Sequence, residues 1–214
     1  MITSHLDGNL LTWQVGAMGL VDLPLTGHAY RAPSGEVVWI DPPEVGEHEA
    51  RLLELGKPAH ILVTFRDHDR AVPALLQRHG AKFWAPKGHE GSIPTPDVAF
   101  DEGTELPAGL RAIGMPAMGF GEHALVAEAY GLKFAFVGDA VFSFEGMKTP
   151  WLVKKLAFKA ACGPLQMKRS YRGGDNAAAP EQLRKLAAER PDMLFLSHGH
   201  PVTEATHWLE ACLK

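Results

Sequence analysis

The residues best suited to do chemistry in this chain gather at four turns. Ile61-Leu62-Val63-Thr64-Phe65-Arg66-Asp67-His68-Asp69-Arg70 runs from apolar, β-branched residues into a cluster of charge. Met115 to His123 is a Pro/Gly-rich turn carrying Met118 and His123. Phe136-Val137-Gly138-Asp139-Ala140 ends an apolar run on a carboxylate, and Leu196-Ser197-His198-Gly199-His200-Pro201 ends another on two imidazoles. Carboxylates and imidazoles brought together by several turns bind divalent cations, and a bound cation can activate water. Ends of buried strands are also where α/β proteins place such sites.

The elements that would carry these turns can be read from hydropathy period and punctuation. Strands are expected at Leu10–Val15, Ala29–Arg31, Val37–Ile40, Ile61–Val63, Lys82–Ala85, Val98–Phe100, Leu110–Gly114, Ala124–Ala129, Phe134–Val137 and Met193–Leu196. Tyr130-Gly131 is a hairpin signal. Helices are expected over 45–55, closed by Gly56, and over 71–79, closed by Gly80 and with Pro73 in the first turn. Further helices are expected over 151–161, over 180–190 and from Glu204 onward. A mostly-β half, a strand–turn–helix, a second mostly-β half and a closing helix–strand suit two sheets with helices outside them.

Composition narrows the classes. At 214 residues and 46% hydrophobic, the chain suits one domain over 1–214 with a substantial core. No run approaches the roughly 20 apolar residues of a membrane helix, and the first residues lack a secretory pattern. Cys162 and Cys212 are too few for a disulfide framework or thiolate metal site, so reduced thiols and a cytoplasmic setting are the default expectation. A net charge of -4 argues against nucleic acid as partner. The segment 143–175 nevertheless carries +5, leaving -9 elsewhere. Its lysines read as a solvated face; a basic lid, or attachment to a membrane surface, is the sharper and less favoured alternative.

The first turn resembles the Thr-His-x-His-x-Asp-His signature of the metallo-β-lactamase-fold hydrolases, the group that includes glyoxalase II. The other three resemble that family's Pro-Gly-His-Thr-Pro-Gly-Ser, Gly-Asp and final His-Gly turns, in the same order. The resemblance covers nearly the whole chain and implies an α/β, four-layer αββα sandwich. It also implies two divalent ions bound at the sheet ends.

Carried over position by position, Asp69, Asp139 and His198 match family ligands, with His200 the less favoured alternative to His198. Asp67 replaces a histidine but can still bind through oxygen. Phe65, Arg70 and Met118 stand where ligands are expected and cannot serve as ordinary ones. The implied metal set is therefore Asp67, Asp69, Asp139 and His198, holding at most one ion, with Asp69 and Asp139 as candidate catalytic groups. His28 reads as a surface histidine. His5, His48, His60, His68, His79, His89 and His207 read as structural or surface residues.

Charge counting leaves two solutions. Asp67, Asp69 and Asp139 carry -3 against the +1 of Arg70, and one zinc, iron or manganese ion would cancel the remainder. Alternatively there is no cofactor, and Arg70 folds in as a bidentate partner of Asp69 or Asp139 while Phe65 and Met118 fill the other site. The leading expectation is the second: a degenerate dinuclear site on a hydrolase-like fold, a pseudoenzyme. The alternative is a mononuclear metal-dependent hydrolase of an ester, thioester or similar small molecule. The small-molecule partner is unspecified, and a homo-oligomer stays open.

Overall fold

A computed structural model describes residues 1–17, 24–88, 94–115, 121–145, 151–168 and 174–214. Seven strands form the first sheet in chain order: β1 (Ile2–His5), β2 (Leu10–Ala17), β3 (Pro24–Arg31), β4 (Val37–Ile40), β5 (His60–Leu62), β6 (Lys82–Pro86) and β7 (Val98–Phe100). Strands β1 to β4 pair antiparallel, and β4 to β7 pair parallel. The second sheet has the order β15 (Val202–Thr203), β14 (Met193–Leu196), β10 (Leu132–Val137), β9 (His123–Ala129), β8 (Arg111–Gly114). A small third sheet joins β11 (Val141–Ser143), β13 (Leu165–Lys168) and β12 (Phe158–Cys162).

Three apolar clusters give the αββα layering its physical basis. Between the two large sheets, Leu10, Tyr30, Val38, Ile40, Leu62 and Phe100 meet Leu125, Phe134, Phe136 and Phe195. Outside the first sheet, Leu52 of α1 (Glu49–Leu52) and Val72 and Leu75 of α2 (Val72–His79) join Trp13, Trp39 and Phe83. Outside the second, Leu183 and Leu186 of α4 (Ala179–Ala188) and Leu209 of α5 (Ala205–Cys212) join Val126, Ala135 and Leu194. Strands covered on both faces explain the near-continuous apolar runs at β4, β5 and β14.

Several local expectations are met. Gly80 ends α2 in the left-handed conformation at φ 62°. Tyr130 and Gly131 both have positive φ, the requirement of a type I′ hairpin turn. Others need correction. Helix α3 covers only Trp151–Ala157, and Phe158–Cys162, expected up to Ala161 as its continuation, pairs as β12 with β13. The helix expected over 45–55 is a short α-turn flanked by two 3-10 turns. The two cysteines, expected reduced, are joined as a Cys162–Cys212 disulfide that ties β12 to the end of α5. Among the described residues no helix is long and apolar enough to cross a membrane.

His28 is likewise not a surface residue. It is fully buried on β3, with ring contacts to Phe136 and Phe195 at 5.3 and 5.9 Å. Burial pushes its pKa down to about 3, against the opposing pull of the Asp41 carboxylate. Unfolded His28 takes up a proton below about pH 6.5, whereas the folded residue does so only near 3, so the unfolded state binds more protons in that window. Stability should therefore fall as pH drops from 6.5 toward 3, with His5 and His79 adding in the same direction. His28→Phe should flatten that fall, as measured by urea denaturation at a series of pH values.

Candidate metal centre

The site is built from the back, at Asp41. This residue follows β4 and holds a positive φ of 47°, a conformation that a non-glycine residue adopts only when its surroundings impose it. Its carboxylate is buried and collects donors from the ends of both large sheets. Oδ1 accepts the Thr64 backbone N–H at 2.7 Å; Oδ2 accepts the hydroxyls of Thr64 and Ser197, each at 2.5 Å. Thr64 follows β5 and Ser197 follows β14, so one carboxylate pins the two sheets together. The remaining partner is His68, whose Nδ1 stands 3.2 Å from Oδ2. Burial alone would raise the Asp41 pKa, but the His68 charge and the hydrogen bonds from His68, Ser197 and Thr64 outweigh it and lower the pKa.

His68 reaches this position because Arg66–His68 is a 3-10 turn, with the His68 N–H donating to the Phe65 carbonyl. In such a turn residues three apart eclipse. Phe65 and His68 are both buried, with their rings 5.6 Å apart, edge to face. Asp67, between them, is exposed. The other edge of His68 points at Asp139, with Nε2 3.5 Å from Oδ1. His198 approaches the same oxygen, its Nε2 at 3.1 Å. Its Nδ1 donates to the Pro24 carbonyl at 3.0 Å, and its ring stacks on Phe142 of β11.

Asp139 is set by the turn that carries it. The buried Glu122 accepts the Ala140 N–H at 2.7 Å, and Gly138 lies so close to Thr64 that a Cβ there would stand 2.6 Å from its hydroxyl. Gly199 does the same for His198: it holds φ +105°, and a side chain there would collide with the Ser143 carbonyl. Burial opposes ionisation of Asp139. Hydrogen bonds from His198 and His68 and the histidine charges prevail, holding its pKa well below the usual carboxylate range.

Among the described residues, His68, Asp139 and His198 form one group of metal-capable side chains, each offering a ligand atom within 4.8 Å of the others. The fit can be tested on spacing. Around a tetrahedral ion with bonds of about 2.0 Å, ligand atoms stand about 3.3 Å apart, bracketed by the 3.1 and 3.5 Å observed. Both histidines also turn Nδ1 toward a fixed acceptor and Nε2 toward the centre, the arrangement that orients metal-binding imidazoles. On the two edges that meet at Asp139, these residues fit one ion.

Of the residues singled out in the sequence, Asp139 and His198 come together, and His200 is exposed. Asp67 and Asp69 line the cleft beside them. Arg70 lines it too, with Nε donating to the Asp67 carbonyl of its own turn, and His68 stands between the Asp41 and Asp139 carboxylates. Phe65 is buried, as apolar filling requires. Met118 lies outside the described residues. His123 pairs with Asp101 at 3.2 Å and with the Gly121 carbonyl at 2.6 Å.

Sequence reasoning missed His68, which falls on a spacer position of the signature turn, and Asp41. The signal for Asp41 was present: a carboxylate at the end of a buried strand, followed by Pro42-Pro43.

The sequence model of the metallo-β-lactamase superfamily matches residues 8–157. The chain belongs to that superfamily. Solved structures agree on the fold. A metallo-β-lactamase from Pontibacter korlensis is 15% identical, with a TM-score of 0.67 over 100% of this chain and 97% of its own. The protein TTHA1623, crystallised in a di-iron-bound form, is 19% identical, with a TM-score of 0.61 over 91% and 96%. ETHE1 from Myxococcus xanthus is 16% identical, with a TM-score of 0.56 over 96% and 79%. Among curated protein sequences none matches.

Removing the Asp41 charge should be costly, because it strands a buried imidazole and three donors. Asp41→Asn should destabilise the protein by about 3–5 kcal/mol, and Ser197→Ala by about 1.5–3 kcal/mol. Chemical denaturation near neutral pH checks both.

Proposed function

We propose that this protein is a mononuclear metal-dependent hydrolase acting on an ester, thioester or similar bond of a small molecule. The observation that carries the proposal is the convergence of two imidazole Nε2 atoms on one Asp139 oxygen, at ligand spacing, with each Nδ1 already committed behind it. His68, Asp139 and His198 would hold the ion. A metal bound there lowers the pKa of a coordinated water and polarises the bond to be cleaved. The chain's own contributions are to fix the tautomer of each histidine, to keep Asp139 ionised, and to border the cleft with the exposed guanidinium of Arg70.

TTHA1623 was crystallised in a di-iron-bound form. A single ion is proposed here because Phe65 stands at an expected ligand position and, among the described residues, the converging donors number three. Purified protein should contain about one equivalent of zinc, iron or manganese by elemental analysis. His68→Ala and His198→Ala should abolish retention, and Asp41→Asn should weaken metal affinity about 10- to 100-fold. Metal-free protein with a melting temperature indifferent to chelator and to added zinc would refute the proposal.

One observation favours a second reading, a metal-free member without hydrolysis. His68 is buried between two carboxylates; burial alone would lower its pKa, but Asp41 and Asp139 raise it to about 10. Its imidazolium would then replace the ion. In that case the pairing stabilises the fold fully below pH 6.5, and the stabilisation is lost as pH rises from 6.5 to about 10. A melting temperature that declines over this range in wild type but not in His68→Gln is the expected signature of that reading.

A further inference from the structure

The cleft has two chambers that meet at His68, Arg70 and His198. The polar chamber carries Asp67, Asp69 and Asp139. The other is a cavity of about 170 Å³ with an apolar wall of Val15, Leu25, Pro42, Pro43 and Ala71, and with Asp41 and Glu44 also in its lining. Val15 and Leu25 are a cross-strand pair of β2 and β3, so their side chains share one face of the sheet. Pro42 and Pro43 follow the fixed Asp41, and Ala71 follows the turn that carries His68. The apolar wall is thus mounted on the same elements that position the candidate ligands.

From this geometry we infer that the cavity is an acyl pocket, and that the substrate class is an ester or thioester of a short apolar acid of about five to seven carbons. The inference rests on the hydrolase reading and specifies its substrate. An apolar cavity of about 150 Å³ accommodates a benzene ring, so about 170 Å³ seats a six-carbon chain or a phenyl group, and a ten-carbon chain overruns it. Proline and branched aliphatic walls offer such a group dispersion and water exclusion without hydrogen bonds. In the reaction the acyl carbon–oxygen or carbon–sulfur bond breaks and the oxygen of water bonds the acyl carbon. One proton of that water goes to the leaving alcohol or thiol, and the other is released as the acid ionises.

Two series of probes test this. In the first, the neutral primary amides acetamide, hexanamide and decanamide are titrated into metal-free protein, with backbone NMR shifts at Val15, Leu25 and Ala71 as readout. Affinity should rise about fourfold per methylene from two to six carbons and collapse at ten. Leu25→Trp, or Val15→Phe should the first not fold, should abolish hexanamide binding without altering metal content. Equal binding of acetamide and hexanamide, undiminished binding of decanamide, or hexanamide binding untouched by both variants would overturn the assignment. In the second series, kcat/KM of the metal-loaded protein toward thioesters of the same chain lengths should peak at six carbons, and a flat profile would overturn it. Amide binding needs neither metal nor turnover, which separates the two claims. Selective hexanamide binding in a protein without metal-dependent activity sinks the hydrolase reading and keeps the pocket. An active enzyme indifferent to chain length does the reverse.

Discussion

One buried carboxylate holds this site together. Asp41 sits at a backbone angle that costs free energy, and it is surrounded by donors from the turn after β5 and the turn after β14. A buried anion is tolerable only when its lone pairs are filled and a positive partner is near. Thr64, Ser197 and His68 meet that demand, and in meeting it they fix the two turns against each other. The distance between His68 and His198, and therefore the ability of Asp139 to be shared between them, follows from this clamp.

The clamp also explains how the site departs from the family's signature without collapsing. The first turn lacks the histidines expected at Phe65 and Asp67. Its 3-10 geometry buries Phe65 and His68 on one side, so an imidazole missing from the signature positions is supplied from a spacer position. Phe65 is then more than filler, because its edge-to-face contact helps hold the His68 ring. A ligand-capable side chain lost by position is recovered by rotation.

Much of the fold was legible in the sequence because hydropathy period and burial coincide. Val37–Ile40, Val98–Phe100 and Met193–Leu196 are strands with those bounds, and Gly80 stops α2 where its left-handed angle is needed. Strand β1 was not legible: Ile2-Thr3-Ser4-His5 has one aliphatic residue and becomes a strand only by pairing with β2. The run after Ala157 carries helix-compatible residues but is captured by β13, a tertiary choice that local propensity does not encode. In the site, Asp139 and His198 were legible because each follows an apolar strand and adjoins a glycine that a close approach requires. His68 was not, since alignment by residue spacing assumes the turn's usual geometry, and only the turn's pitch decides which side chains face inward. The buried state of His28 was hidden for a related reason: a strand covered on both faces has no polar side on which to place it.

On the proposed reading, His68 and His198 bind one ion through Nε2 while keeping Nδ1–H for Asp41 and for the Pro24 carbonyl. Cobalt(II) substitution followed by proton NMR tests this directly, because a bound paramagnetic ion shifts the ring N–H protons of its histidine ligands far downfield. Two such resonances are expected, both lost on exchange into heavy water and both absent from His68→Ala, which does not retain the ion. A spectrum with none, or one unchanged by that substitution, would contradict this arrangement.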